Sequence, residues 1–204
     1  MNARLAWLAF TGIMDPDTRI ALRRAWGLCA THAWGLAMVE CELRDGALPA
    51  TSALYADLAA GAAQALGARD EPAHGERGAQ AAPPSGHALR GDGRCFVCRP
   101  GAPVTATLGP GPRFLARLHA SWPHAAPRAC PACARGSGPP CRPHLLAGLP
   151  APDDLASRVR RIGLRVGANT DEAAWLEALG WFTGWELPAS LAGAARHEEV
   201  ACPS

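Results

Sequence analysis

Residues 130–144 read C-P-A-C-A-R-G-S-G-P-P-C-R-P-H, and the reading of the whole chain turns on them. Four donors of the nitrogen or sulfur type, Cys130, Cys133, Cys141 and His144, fall within this short stretch. Two residues between donors is the spacing at which a tight turn, or the first turn of a helix, aims two side chains at one ion. Zn²⁺ takes four such donors in a tetrahedron, which two short pairs supply. The same spacing recurs upstream as Cys29-x-x-His32 and Cys95-x-x-Cys98. Four pairs hold eight donors, enough for two closed Cys₃His sites and hence two zinc ions.

The compact set Cys130, Cys133, Cys141 and His144 forms one expected site, and Cys29, His32, Cys95 and Cys98 form the other. The second grouping must close more than sixty residues of chain, which is tolerable because loop-closure entropy grows only slowly with length. A swapped arrangement is also open, with Cys95 and Cys98 joining Cys141 and His144 while Cys130 and Cys133 join the Cys29 pair. Of the other cysteines, Cys41 lies on an apolar helical face and reads as core. Cys202 has no donor partner nearby and reads as a free thiol.

Composition sets the fold class. The 204 residues include 44 Ala and 23 Leu but only 6 Val and 3 Ile, too few β-branched residues for a sizeable sheet. A parallel-sheet enzyme is therefore excluded as the expectation. Gly (22) and Pro (19) make up about a fifth of the chain, which implies much loop. All 20 basic residues are Arg, and the net charge of +2 is too near balance to imply a nucleic-acid partner by itself. No apolar run reaches the ~18 residues needed to cross a bilayer. The N-terminal stretch M-N-A-R-L-A-W-L-A-F lacks a small-x-small cleavage site and reads as a helix, not an export leader. The expected location is the cytoplasm, where paired thiols suggest metal before disulfide.

Four stretches follow, predicting a mainly α protein: a small helical bundle, or two helical lobes, stapled by Cys/His metal sites with a disordered central linker. Residues 1–66 read as three or four helices. Asp15-Pro16 opens one as cap and first residue, and Gly27 closes it. Another runs from near Cys29 to Leu43, with Trp34, Met38 and Cys41 on one face. A third follows Pro49, with Thr51 or Ser52 as its cap. Residues 67–94 hold Leu89 as their single large apolar residue and read as a flexible linker in which His74 and His87 are bystanders. Residues 95–149 carry five of the eight Cys and one short helix, with Phe114, Leu118 and Trp122 inward. Residues 150–204 return to helices, with Asp153 or Asp154 as one cap. Asn169 and Glu172 resemble a capping box before the next helix, and the tail after Leu191 reads as frayed.

At these residues the chain resembles a bacterial family of helical Cys/His-motif proteins whose repeated units carry C-P-x-C and G-[FL]-C-x-x-H-x-x-x-L. The stretch W-G-L-C-A-T-H-A-W (26–34), Y-A-D-L (55–58), the C-x-x-C pairs and C-R-P-H-L (141–145) carry the likeness, which spans roughly Asp15 to Leu149. It implies metal ligation and no particular reaction. Members place a C-x-x-C ahead of the first G-[FL]-C-x-x-H. None precedes Cys29 here, so either the start is truncated or Cys95 and Cys98 complete that site.

The expected function is that of a zinc-binding, non-enzymatic helical protein, a structural or protein-interaction module. Closed four-donor sites leave no position for a catalytic water. The aromatic cluster Trp175, Trp181, Phe182 and Trp185 reads first as core and second as a surface for a protein partner. Cys130-Pro-Ala-Cys133 could instead serve a thiol redox or metal sensor, although no thioredoxin-like strands accompany it. Iron–sulfur ligation is weaker still, since clusters prefer four Cys. A zinc-dependent nucleic-acid regulator is disfavoured because Arg128, Arg135 and Arg142 have no aromatic interleaved for stacking. Hydrolase and phosphate-loop signatures are absent.

Overall fold

The computed structural model describes residues 3–67, 86–91, 94–98, 109–125, 130, 133, 140–169 and 171–198; the side chains of 86, 87 and 194–198 fall outside the description. Among the described residues there are nine α-helices and no strand: α1 (Ala3–Phe10), α2 (Pro16–Arg24), α3 (Ala30–Leu43), α4 (Pro49–Ala65), α5 (Pro112–Ala125), α6 (Arg142–Leu146), α7 (Leu155–Ala168), α8 (Ala174–Thr183) and α9 (Glu186–Glu198). Short 3-10 turns lie at Gly12–Met14 and Gly86–Leu89. The mainly α expectation holds. Most of the linker reading, including His74, lies outside the described residues, as does Cys202. The described end of that stretch packs inward: Leu89 is fully buried, and a side chain at Gly91 would collide with the Ala25 backbone at 2.9 Å.

Helix ends follow elementary capping rules in one place and borrowed caps elsewhere. Asp15 precedes Pro16 and accepts the Thr18 N–H at 2.8 Å, as its sequence position predicts. α4 differs from expectation, because neither Thr51 nor Ser52 caps it. The buried carboxylate of Glu40, on α3, accepts the N–H groups of Ala50 at 2.6 Å and Thr51 at 2.9 Å. Two residues on, the Glu42 carboxylate accepts the Phe114 N–H at 3.0 Å and caps α5 in the same manner. The Asn169–Glu172 capping box is also absent. Asn169 ends α7 in the left-handed conformation (φ 51°), and the Asp171 carboxylate accepts the Ala173 N–H at 2.8 Å ahead of α8. Asp154 occupies the cap position of α7, but its carboxylate takes Arg158 at 2.5 Å rather than a backbone N–H.

One contiguous apolar cluster runs from Leu5 on α1 to Trp185 ahead of α9, which favours the single bundle over separate lobes. Its Ala richness is put to use where helices approach closely. α4 and α7 form the most extensive helix pair, and at Gly163 a Cβ would stand 2.8 Å from the Ala59 Cβ. Aromatic rings fill what the alanines leave. Trp34 and Phe114 both meet Trp175 edge-on, at 6.3 and 6.0 Å between centroids, and Tyr55 meets Phe182 at 5.5 Å. Trp175, Trp181, Phe182 and Trp185 are all buried, so this cluster is core and not a surface for a partner. Phe114 and Leu118 point inward as expected, and Trp122 is half-buried. Cys41 is fully buried, as expected, and burial pushes its thiol up to about 12.

Two stability outcomes follow from this packing. Glu40→Ala leaves buried N–H groups at the start of α4 without an acceptor and should lower unfolding free energy by about 1–3 kcal/mol in urea titration. Arg23 and Arg19 beside Asp57 hold its carboxyl below the ordinary carboxylate range. That contribution is complete above the ordinary carboxylate pKa and fades as pH falls through the lower folded value. Asp57→Asn should therefore flatten the acid limb of a melting-temperature profile and lower stability at neutral pH.

Candidate metal centres

Two four-donor groups converge in the structure, Cys29 with His32, Cys95 and Cys98, and Cys130 with Cys133, Cys141 and His144. Within each group the donor atoms all lie within 4.8 Å of one another, so either set could hold a metal ion. These are the proximity-based groupings; the swapped arrangement does not occur.

Backbone geometry makes both Cys-x-x-His halves alike. Cys29 is the N-cap of α3 (φ −64°, ψ 161°) and Cys141 the N-cap of α6 (φ −75°, ψ 159°). From that position the cysteine and the histidine three residues on face the same side of the first turn, and each imidazole presents Nδ1. Cys29 Sγ lies 3.2 Å from His32 Nδ1, and Cys141 Sγ lies 3.1 Å from His144 Nδ1. The first N-cap is delivered by what precedes it. Ahead of α3 the Gly27 N–H reaches back to the Leu22 carbonyl at 2.7 Å, with Trp26 and Gly27 both at positive φ, which ends α2 and re-aims the chain. The W-G-L-C string is thus a helix stop followed directly by a donor at a helix start.

The Cys-x-x-Cys half of the first centre is a turn. In the first centre the Cys98 N–H bonds to the Cys95 carbonyl at 3.0 Å. Cys98 Sγ reaches His32 Nδ1 at 3.1 Å and Cys29 Sγ at 3.7 Å, and Cys95 Sγ is 3.6 Å from His32 Nδ1. The 94–98 segment is held by Val97, which is buried, by Phe96 stacked on Trp7 at 6.2 Å, and by Arg4 donating to the Phe96 carbonyl at 3.4 Å. In the second centre Cys133 adopts a left-handed backbone (φ 49°). Its N–H points at Cys130 Sγ at 2.6 Å, and the Cys141 N–H points at Cys133 Sγ at 3.3 Å. Sulfur–sulfur separations here are 3.3 and 3.9 Å. A tetrahedron with a metal–sulfur distance of about 2.3 Å has edges of roughly 3.8 Å, close to these values and far from an S–S bond of about 2.05 Å.

Charge decides what such a cluster can do. Burial pushes the thiols of Cys98, Cys130 and Cys141 up. In the first centre the Cys29 thiol donates a hydrogen bond to Cys95, which holds the Cys95 thiolate down to about 4 while Cys29 itself is pushed up. Without a cation a second and third thiolate in the same pocket are therefore costly. A divalent ion reverses that balance, since a coordinating thiol is deprotonated outright. Soft sulfur and imidazole donors in a four-fold set suit zinc-like ions rather than magnesium or calcium.

The two centres differ in exposure. Cys133 and Cys141 are each 2% exposed, whereas Cys29 and Cys98 are exposed to solvent. The chain also passes between them. Arg142, beside Cys141, donates to the Leu89 carbonyl at 3.1 Å, so the segment leading to Cys95 is anchored at the second centre. Burial of that guanidinium lowers its pKa. Sequence reasoning missed the anchoring, whose signals are one leucine in a polar stretch and an arginine inside C-R-P-H.

No family model, curated protein or solved structure matches the chain. Among the described residues no helix is long and apolar enough to cross a membrane.

Cys133→Ser replaces the buried sulfur that meets Cys130, Cys141 and His144. It should remove one bound metal per chain in elemental analysis and leave the first centre's ion in place.

Proposed function

We propose that the chain is a zinc-binding, non-enzymatic helical protein whose two Cys₃His centres staple the fold, and that it serves as a structural or protein-interaction module. The observation that carries this reading is the convergence of two complete four-donor sets. Four protein donors fill a tetrahedral zinc, leaving no position for water or substrate to be activated. Each centre also joins segments that packing alone would hold weakly. The first pins 94–98 to the start of α3, and the second pins Cys130 and Cys133 to the start of α6.

A surface for a partner is offered elsewhere than the buried tryptophan cluster. Trp7, Phe10 and Met14 on α1 and the turn after it are 43%, 51% and 73% exposed. Arg44 covers part of the Phe10 ring at 4.6 Å.

Metal and thiols are counted together to test this. Freshly purified protein should carry close to two zinc per chain. Thiol reagents should reach few of the eight cysteines until a chelator is added, and chelation should lower the melting temperature. Metal-free protein with an unchanged melting temperature would contradict the proposal, and visible absorbance with bound iron would replace zinc by an iron–sulfur group.

A further inference from the structure

We infer that the first centre is an oxidation site, at which a two-electron oxidant of the peroxide class joins Cys29 to Cys98 as a disulfide and expels the metal, while the second centre retains its own. The inference rests on the two-metal reading above and assigns the redox role to a different pair from Cys130 and Cys133.

Distance and access favour different pairs. Cys130 and Cys133 hold the shorter sulfur separation, 3.3 Å against 3.7 Å for Cys29 and Cys98. The first step, however, is an encounter between a thiolate and a dissolved oxidant, and susceptibility follows thiolate character and exposure. Cys29 and Cys98 are both exposed. In the other pair Cys133 is 2% exposed. Metal ligation makes thiolates of all six, so access decides. Once one sulfur is oxidised, the partner 3.7 Å away must close by less than about 2 Å to reach bonding distance.

The chemistry balances with peroxide as the sole oxidant. One thiolate attacks a peroxide oxygen, forming an S–O bond as the O–O bond breaks and hydroxide leaves. The second thiolate then displaces hydroxide from that sulfur and forms the S–S bond. The sulfur pair loses two electrons, peroxide gains them, and two protons from solvent turn the two hydroxides into water. Cys95 and His32 remain, too few to hold the ion, which departs as M²⁺. The new bond keeps 94–98 tethered to the start of α3, and the Val97 and Phe96 contacts are untouched, so the helical fold persists. Thiol reductant and metal restore the original state.

The experiment treats zinc-loaded protein, its metal content measured beforehand, with excess hydrogen peroxide. Release is followed with a chromogenic chelator, and disulfides are mapped by differential alkylation and mass spectrometry. The expected result is one zinc released per chain in a fast phase, the second released at least about tenfold more slowly, a Cys29–Cys98 link, and unchanged helical circular dichroism. Cys98→Ser should abolish the fast phase. A first-formed Cys130–Cys133 link, or simultaneous loss of both ions, overturns the inference. The disulfide map reads it at any metal loading, whereas a starting content below two zinc per chain counts against the two-metal reading instead.

Discussion

Three sulfurs and an imidazole drawn within 4.8 Å of one another are incompatible with three thiolate charges unless a cation joins them. That constraint underlies the rest of the structure. Metal binding to such a set is folding free energy, because the set does not exist in the unfolded chain. A protein with 44 alanines and 9 Val or Ile residues buries modest apolar area per side chain, so a few coordinate bonds weigh heavily against ordering entropy. Metal held in the two donor sets would complement the tight Ala/Gly helix packing as an answer to the same composition. Small side chains let α4 and α7 approach closely, and the centres hold the segments that have little apolar surface of their own.

Helix α3 is where these constraints meet. Its N-cap is Cys29, one of the four candidate donors of the first centre, and its middle is buried nearly all round, with Trp34, Leu36, Ala37, Val39 and Cys41 each 3% exposed or less. Near its C-terminus Glu40 and Glu42 reach across to cap α4 and α5. One helix thereby fixes the first metal centre at one end and the starts of two other helices at the other.

Much of this was legible in the chain itself. The Cys-x-x-His and Cys-x-x-Cys spacings pick out the eight side chains that converge in two groups, because two intervening residues dictate the local geometry whatever surrounds them. The scarcity of β-branched residues predicts helices, and Asp15-Pro16 and Gly27 mark the limits of α2 through purely local chemistry. What sequence could not settle is non-local. The acceptors capping α4 and α5 come from another helix, so Thr51 and Ser52, good caps by type, are bypassed. Asn169 satisfies the pattern of a helix start yet ends the preceding helix, because a short polar side chain also tolerates the left-handed conformation. Leu89 sits in a composition typical of disorder, and its burial depends on the fold bringing Arg142 to its carbonyl. The pairing of donor sets was likewise a question of proximity in space, answerable only once α3 and the 94–98 segment were seen side by side.

The central claim is that each centre is a closed Cys₃His zinc site, and X-ray absorption at the zinc edge tests it most directly. The account predicts a four-coordinate first shell averaging three sulfurs at about 2.3 Å and one nitrogen at about 2.0 Å, with no oxygen neighbour. A shell containing oxygen, or fewer than three sulfurs per zinc, would contradict it.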